Sequence, residues 1–175
     1  MNQFLKQAAT PARWIVMGVS GCGKSEVGKA LAGALHVPFL EGDAFHSPAN
    51  VAKMAAGIPL DDNDRADWLL TLQAQIAAAA ERGEGLVLSC SALKRRYRDL
   101  LRQADPGLRF AHLAGDRELI AQRMQARTDH YMPLSLLDSQ LRDLEPLAAD
   151  EAGVRLDISK LPAEIIDDIL QVQGQ

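Results

Sequence analysis

Residues 18–25 read GVSGCGKS, a glycine-rich run that ends in a lysine and a hydroxyl. The run matches G-x-x-x-x-G-K-[ST] at every fixed position. Glycines at these spacings let the backbone turn its N–H groups inward around phosphate oxygens. Lys24 is placed to reach β- and γ-phosphates, and the Ser25 hydroxyl to ligate Mg²⁺. A helix starting near Lys24 adds the positive end of its dipole. Gly18, Val19, Ser20, Gly21, Cys22, Gly23, Lys24 and Ser25 are therefore the candidate nucleotide-binding residues, and ATP with Mg²⁺ the implied cofactors. Cys22 has two readings: a thiol made acidic by the helix N-terminus, or a small residue with its side chain turned away. Two further stretches hold concentrated polar chemistry. LEGDAFHSPANVAKM (40–54) carries Asp43, His46 and Lys53 among small residues and a proline. KRRYRDLLR (94–102) repeats Lys94, Arg98 and Arg102 every four residues, which puts them on one helix face.

The elements that must position these residues follow from apolar periodicity. Short apolar runs at 14–18, 37–43, 85–90, 108–115 and 154–159 read as strands. Helical patterns lie between them: 24–35, 48–56 with Pro48 in its first turn, a helix capped by Asp62 or Asp64 and running to Glu81, 93–103, 116–124, 134–144, and a last one opened by Pro162. Trp68, Leu69, Leu72 and Ile76 form an apolar stripe, so Trp68 reads as core. Five strands alternating with helices predict an α/β three-layer sandwich: a mostly parallel sheet with helices on both faces. The segment RTDHYMP (127–133) interrupts regular structure, and no linker divides the chain, so one domain is expected over 1–175.

Composition narrows the function. The chain has 175 residues, 47% hydrophobic and 24% charged, with a formal net charge of −4. An acidic balance disfavours general nucleic-acid binding, which leaves the 94–102 cluster as a local anion site or a solvated basic face. Cys22 and Cys90 are too few for a disulfide framework and have no metal-ligand spacing. The opening MNQFLKQAAT lacks the apolar run of a secretory leader, and no stretch reaches the ~20 apolar residues of a membrane span. A cytoplasmic protein with no membrane contact is expected.

A phosphate cradle does not name a substrate. No N-K-x-D follows to select guanine, and LVLSC ends in Ser89-Cys90-Ser91 where a motor ATPase would carry Asp. Asp43, Ser91 and Asp116 all follow strands, the place where open parallel sheets bind ligands. Small size and these polar clusters point to a small-molecule kinase.

The pieces MGVSGCGKS, EGDAFHSPANVAKMAAGIPLDDNDRADWL, CSALKRRYRDLLR and HYMPLSLLDSQLRDLEPL, in this order, resemble the gluconokinase family. These are small P-loop kinases related to shikimate kinase and the nucleoside monophosphate kinases. The resemblance runs from about residue 13 to the C-terminus. It implies transfer of the ATP γ-phosphoryl group to the 6-hydroxyl of D-gluconate, a P-loop kinase fold with a mobile lid at about 123–134, and an acceptor-binding segment at about 41–66. A homodimer is also implied. Shikimate-like alcohols and other sugar acids stand as alternative acceptors.

Roles follow residue by residue. Asp43 follows a strand and matches the second acid of the shikimate-kinase D-x-D pattern, so it is expected to orient the 6-hydroxyl and accept its proton. Glu41, at the first position, would support Mg²⁺ through water. His46 either binds gluconate hydroxyls or serves the loop, and Lys53 either faces the acceptor or stays solvated. Lys94 and Arg98 are expected to meet the gluconate carboxylate, with Arg95, Arg96 and Arg102 left on the solvated face. Ser91 adds a hydroxyl contact or caps the helix. The resemblance places Arg127 over the phosphates as the lid closes, and Arg123 near adenine or the phosphates. It makes His130 and Gln140 acceptor contacts.

Overall fold

The computed structural model describes residues 10–127 and 133–175. Five strands form one sheet in the order β2-β3-β1-β4-β5. They are β1 (Arg13–Met17), β2 (Phe39–Glu41), β3 (Leu86–Ser89), β4 (Arg109–Ala114) and β5 (Gly153–Asp157). Every pairing is parallel. Parallel neighbours cannot be joined by hairpins, so a helical crossover lies between successive strands. The helices are α1 (Lys24–Leu35), α2 (Pro48–Ala55), α3 (Asp62–Glu81), α4 (Arg95–Arg102), α5 (Arg117–Ala126), α6 (Leu134–Asp143) and α7 (Pro162–Gln173).

Side-chain alternation along β1 divides the core in two. Trp14 and Val16 face a cluster built from α1, α5, α6 and α7, including Leu31, Ile120, Leu137, Ile165 and Ile169. Ile15 and Met17 face α3 and α4 through Leu72, Ile76, Tyr97 and Leu101. Each fully buried aliphatic side chain contributes about 1.5–3 kcal/mol, so both faces must be covered for the sheet to stand.

Local chemistry sets the element ends. Ser47 caps α2, its hydroxyl accepting from the Asn50 N–H at 3.2 Å. Asp61, rather than Asp62 or Asp64, caps α3. Its carboxylate accepts from the Asp64 N–H at 2.8 Å, and Asp64 accepts from the Asp61 N–H in return. That reciprocal box satisfies two orphan donors. The sheet pairing of β2 stops at Glu41, two residues earlier than periodicity predicts, because Gly42–Phe45 turn into a single 3-10 turn. Among the described residues, no helix is long and apolar enough to cross a membrane.

His112 on β4 is buried, and neither ring nitrogen has a hydrogen-bond partner among the described residues. Burial, with Arg155 and Arg98 nearby, holds its pKa down to about 4, against a weaker opposing pull from Glu151. The folded protein thus refuses a proton that the unfolded chain accepts from about pH 6.5 downward. Stability is fully present above that value and is lost as pH falls toward 4. Unfolding free energy is expected to drop by roughly 2–3 kcal/mol between pH 7 and 4.5 through this group. Urea titrations of His112→Leu should show a correspondingly shallower loss, and an identical pH slope would refute the assignment.

Candidate active site

The strands all end at one edge of the sheet, and the loops after β1, β2 and β3 meet there. After β1 comes the phosphate loop. Gly23 caps α1 with φ of 97°, a left-handed conformation that L side chains rarely adopt. Gly21, Gly23, Lys24 and Ser25 line a cavity with Ser20, Glu41, Asp43, Met124 and Arg127. Lys24 lies back across the loop, its Nζ donating to the Val19 carbonyl at 3.0 Å. Cys22 takes the second of its readings. Its side chain is packed in the core, and burial pushes the thiol pKa up despite the nearby Lys24. Only its backbone is left to serve a phosphate.

After β2 comes the acidic turn. Gly42 sits so close to β3 that a Cβ there would lie 1.9 Å from the Ser89 carbonyl oxygen. The Gly42 N–H donates to Ser89 Oγ at 3.1 Å, and Trp68 Nε1 donates to the Gly42 carbonyl at 2.8 Å. Glu41, one residue earlier, accepts from Ser25 Oγ and from Ser89 Oγ, each at 2.5 Å. The donor set around Ser25 is thus all oxygen, the kind a hard divalent cation such as Mg²⁺ takes when triphosphate oxygens complete its shell. Asp43, one residue later, projects with 65% of its side chain exposed.

Asp43 also borders a second cavity, lined with Ser20, Lys24, His46, Met54, Leu60, Arg65, Trp68, Ser91, Leu136, Ser139 and Gln140. Ser20, Lys24 and Asp43 therefore stand at the seam between the two cavities. The His46 ring stacks on Trp68 with centroids 4.1 Å apart, and its Nε2 is 3.9 Å from Asp43. Burial lowers the His46 pKa, Asp43 opposes that, and Arg65 adds to it. The ring is neutral at pH 7, able to donate from one nitrogen and accept at the other. Trp68 is core as expected, and it also forms a wall of this cavity. Ser91 borders the cavity and does not cap α4, whose N-cap is Lys94.

A third cavity adjoins the phosphate loop. It is lined by Gly21, Glu26, Arg123, Arg127, Ile158 and Pro162, among others. Arg123 donates to the Ile158 carbonyl at 2.7 Å, which ties α5 to the loop after β5. Arg127 borders both this cavity and the first. His130 lies outside the described residues.

Two expectations for the basic helix fail. Arg98 is fully buried and does not line the second cavity. Its Nε and Nη2 grip Glu151 at 2.7 and 3.0 Å, while Nη1 donates to the carbonyls of Ala92 and Leu93. Burial alone would push the Glu151 carboxyl up, but Arg98, the Ala148 N–H and Arg102 bring it down to about 2. Arg102 is correspondingly no solvated residue, since it donates to Glu151 and lies over the Phe110 ring. Lys94 is paired with Asp62 at 3.1 Å. Arg95 and Arg96 do keep exposed side chains, paired with Asp99 and Asp150 and with Asp62 respectively. Lys53 takes the solvated reading: its side chain is 41% exposed and bonds both oxygens of Asp64.

A further cation, beside Lys24, lines the second cavity: Arg65, near the start of α3, 6% exposed, with Nη1 3.2 Å from Tyr97 Oη and 3.5 Å from Asp143. Sequence reasoning missed it, although a signal was present. Arg65 is a charge on the stripe of Trp68, Leu69, Leu72 and Ile76, and a charge on an apolar face needs a buried reason.

Comparison with known proteins comes to the same region of fold space. A family model described as an AAA domain matches residues 14–147. The chain is 44% identical over 161 residues to the gluconokinase of Gluconobacter oxydans (strain 621H), covering 92% of this chain and 90% of that one. Among solved structures it is similar to a gluconokinase from Sinorhizobium meliloti 1021, at 46% identity and a TM-score of 0.86, covering 94% of this chain and 93% of the other. It is also similar to a sugar kinase from Janibacter sp. HTCC2649, at 45% identity and a TM-score of 0.90, covering 94% and 95%.

Arg98→Met removes the main partner of the buried Glu151 charge and leaves it with Arg102 and the Ala148 N–H. Urea unfolding should show a loss of about 3–5 kcal/mol, while the folded variant keeps its acceptor KM. A raised KM with unchanged stability would return Arg98 to the substrate.

Proposed function

The chain belongs to the gluconokinase family, and from that premise we infer how its residues carry the γ-phosphoryl group of ATP to D-gluconate. The reaction is the ATP-dependent phosphorylation of gluconate to 6-phosphogluconate. Other sugar acids and shikimate-like alcohols are not favoured, since the relatives at this level of identity are named gluconokinase. The residue assignments rest on one observation above others: Lys24 and Asp43 border both the phosphate cavity and the acceptor cavity.

In this reading the triphosphate lies along the N–H groups of Gly21, Gly23, Lys24 and Ser25, with its adenosine end toward Arg123, Ile158 and Pro162. Ser25 and Glu41 are the residues that would hold a Mg²⁺ ion, which would supply charge neutralisation to the triphosphate. Gluconate occupies the second cavity with its 6-hydroxyl at the seam. Asp43 accepts a hydrogen bond from that hydroxyl and aligns its oxygen with the γ-phosphorus. As the new O–P bond forms and the bond to the departing ADP oxygen breaks, the hydroxyl proton passes to Asp43. Lys24 and Arg127 offset the charge spread over the transferring group. The lid expected at about 123–134 lies partly outside the described residues; Met124 and Arg127, which line the phosphate cavity with the exposed Asp43, help to exclude water as a competing acceptor.

At the other end of the substrate, Arg65 takes the role expected of Lys94 and Arg98. A guanidinium meets a carboxylate with parallel hydrogen bonds, and this one is held by Tyr97 and Asp143 before the substrate arrives. Neutral His46, Ser91 and Gln140 supply partners for the hydroxyls between.

Steady-state kinetics with both substrates varied separates these roles. Asp43→Asn should lower kcat by roughly 10²–10⁴-fold with nucleotide affinity unchanged, and near-normal turnover would remove Asp43 from the reaction. Arg65→Met should raise the gluconate KM roughly ten- to hundredfold and leave the ATP KM near wild type. A rise in both constants together would defeat the carboxylate assignment.

A further inference from the structure

One contact joins the acceptor cavity to the phosphate loop and belongs to neither reactant. Gln140, in the second turn of α6, places Oε1 2.8 Å from the Ser20 backbone nitrogen, and its Nε2 is 3.1 Å from Ser20 Oγ. The Ser20 N–H can only donate, so the amide oxygen must face it, and the NH₂ group then donates to the hydroxyl. A single side chain thereby holds both polar groups of one loop residue, across 120 positions of sequence.

The two ends of this contact touch different things. Gln140 lines only the acceptor cavity, whereas Ser20 lines the acceptor cavity and the phosphate cavity. The rest of α6 is well anchored. Asp138 pairs with Arg117 of α5 at 2.6 Å, and just past the helix the Glu145 N–H donates to the Leu93 carbonyl at 2.8 Å. Any shift of the Gln140 amide caused by an acceptor hydroxyl is therefore transmitted to Ser20 rather than absorbed by the helix.

We propose that Gln140 is a positioning residue that couples the two substrates: through Ser20 it sets the phosphate loop according to whether the acceptor cavity is filled. Binding of gluconate fixes the amide, the amide fixes Ser20, and the loop around the triphosphate loses freedom that nucleotide binding would otherwise have to remove. Nucleotide then binds more tightly to the gluconate complex than to the free protein, and by linkage gluconate binds more tightly to the nucleotide complex by the same factor. This rests on the gluconokinase reading of the site, yet it can fail while that reading stands, because 6-phosphogluconate formation by the wild type does not depend on it.

The test is calorimetric. The affinity of the full-length protein for a non-hydrolysable ATP analogue with Mg²⁺ is measured with and without saturating D-gluconate, for wild type, Gln140→Ala and Ser20→Ala. Wild type should show tighter nucleotide binding with gluconate, by at least roughly fivefold. Gln140→Ala should bring that ratio close to one. Ser20→Ala, which keeps the N–H contact and loses only the hydroxyl, should fall between. A wild-type ratio of one would overturn the proposal. So would a Gln140→Ala ratio equal to wild type with only the gluconate KM raised, which would make Gln140 a plain acceptor contact. A loss of nucleotide affinity equal in both conditions, with a lowered Tm, would reduce Gln140 to a structural role and likewise overturn it.

Discussion

The site depends on how closely the end of β2 lies against the end of β3. Gly42 has no side chain, and its backbone occupies space beside the Ser89 carbonyl that a Cβ would contest at 1.9 Å. Ser89 and Trp68 then fasten the Gly42 N–H and carbonyl. The residues on either side inherit their directions from that contact. Glu41 turns toward Ser25 and the phosphate loop, while Asp43 turns outward to the seam between the two cavities. Any larger residue at position 42 would separate the strand ends and move both carboxylates away from Lys24.

Electrostatics gives the rest of the layout its sense. The chain carries a formal charge of −4, yet both reactants are anions. In the proposed reading the attraction comes from local cations: Lys24 and Arg127 beside the first cavity, Arg65 beside the second. In that reading the two acidic groups among them, Glu41 and Asp43, serve the metal and the hydroxyl proton. The basic helix α4 contributes differently. Arg98 and Arg102 converge on the buried Glu151, so their charge holds the α4 layer to the 145–152 segment rather than recruiting substrate.

Much of this was legible from residue order. The GVSGCGKS spacing identified the phosphate loop, and alternating apolar runs gave all five strands with a parallel arrangement. The place of Asp43 beside both cavities was legible because it follows a strand of an open parallel sheet, where ligands bind. Arg98 was misleading for a physical reason: periodicity shows which residues share a helix face but not what that face meets. Its partner Glu151 lies 53 positions away in an irregular segment with no pattern to reveal it. Arg65 had the opposite problem, being a lone charge hidden within an apolar stripe. The Ser20–Gln140 contact spans too many residues for any local pattern to carry it, although the resemblance did single out Gln140 itself.

The central claim is that a hydroxyl at the Asp43–Lys24 seam receives the γ-phosphoryl group, and product structure tests it most directly. The protein is incubated with ATP, Mg²⁺ and D-gluconate, and the mixture is followed by phosphorus NMR. One new phosphomonoester signal is expected, coupled to the two C6 methylene protons and growing in step with ADP. ADP formed with inorganic phosphate alone, or an ester on a secondary carbon of gluconate, would contradict the placement of the 6-hydroxyl at that seam.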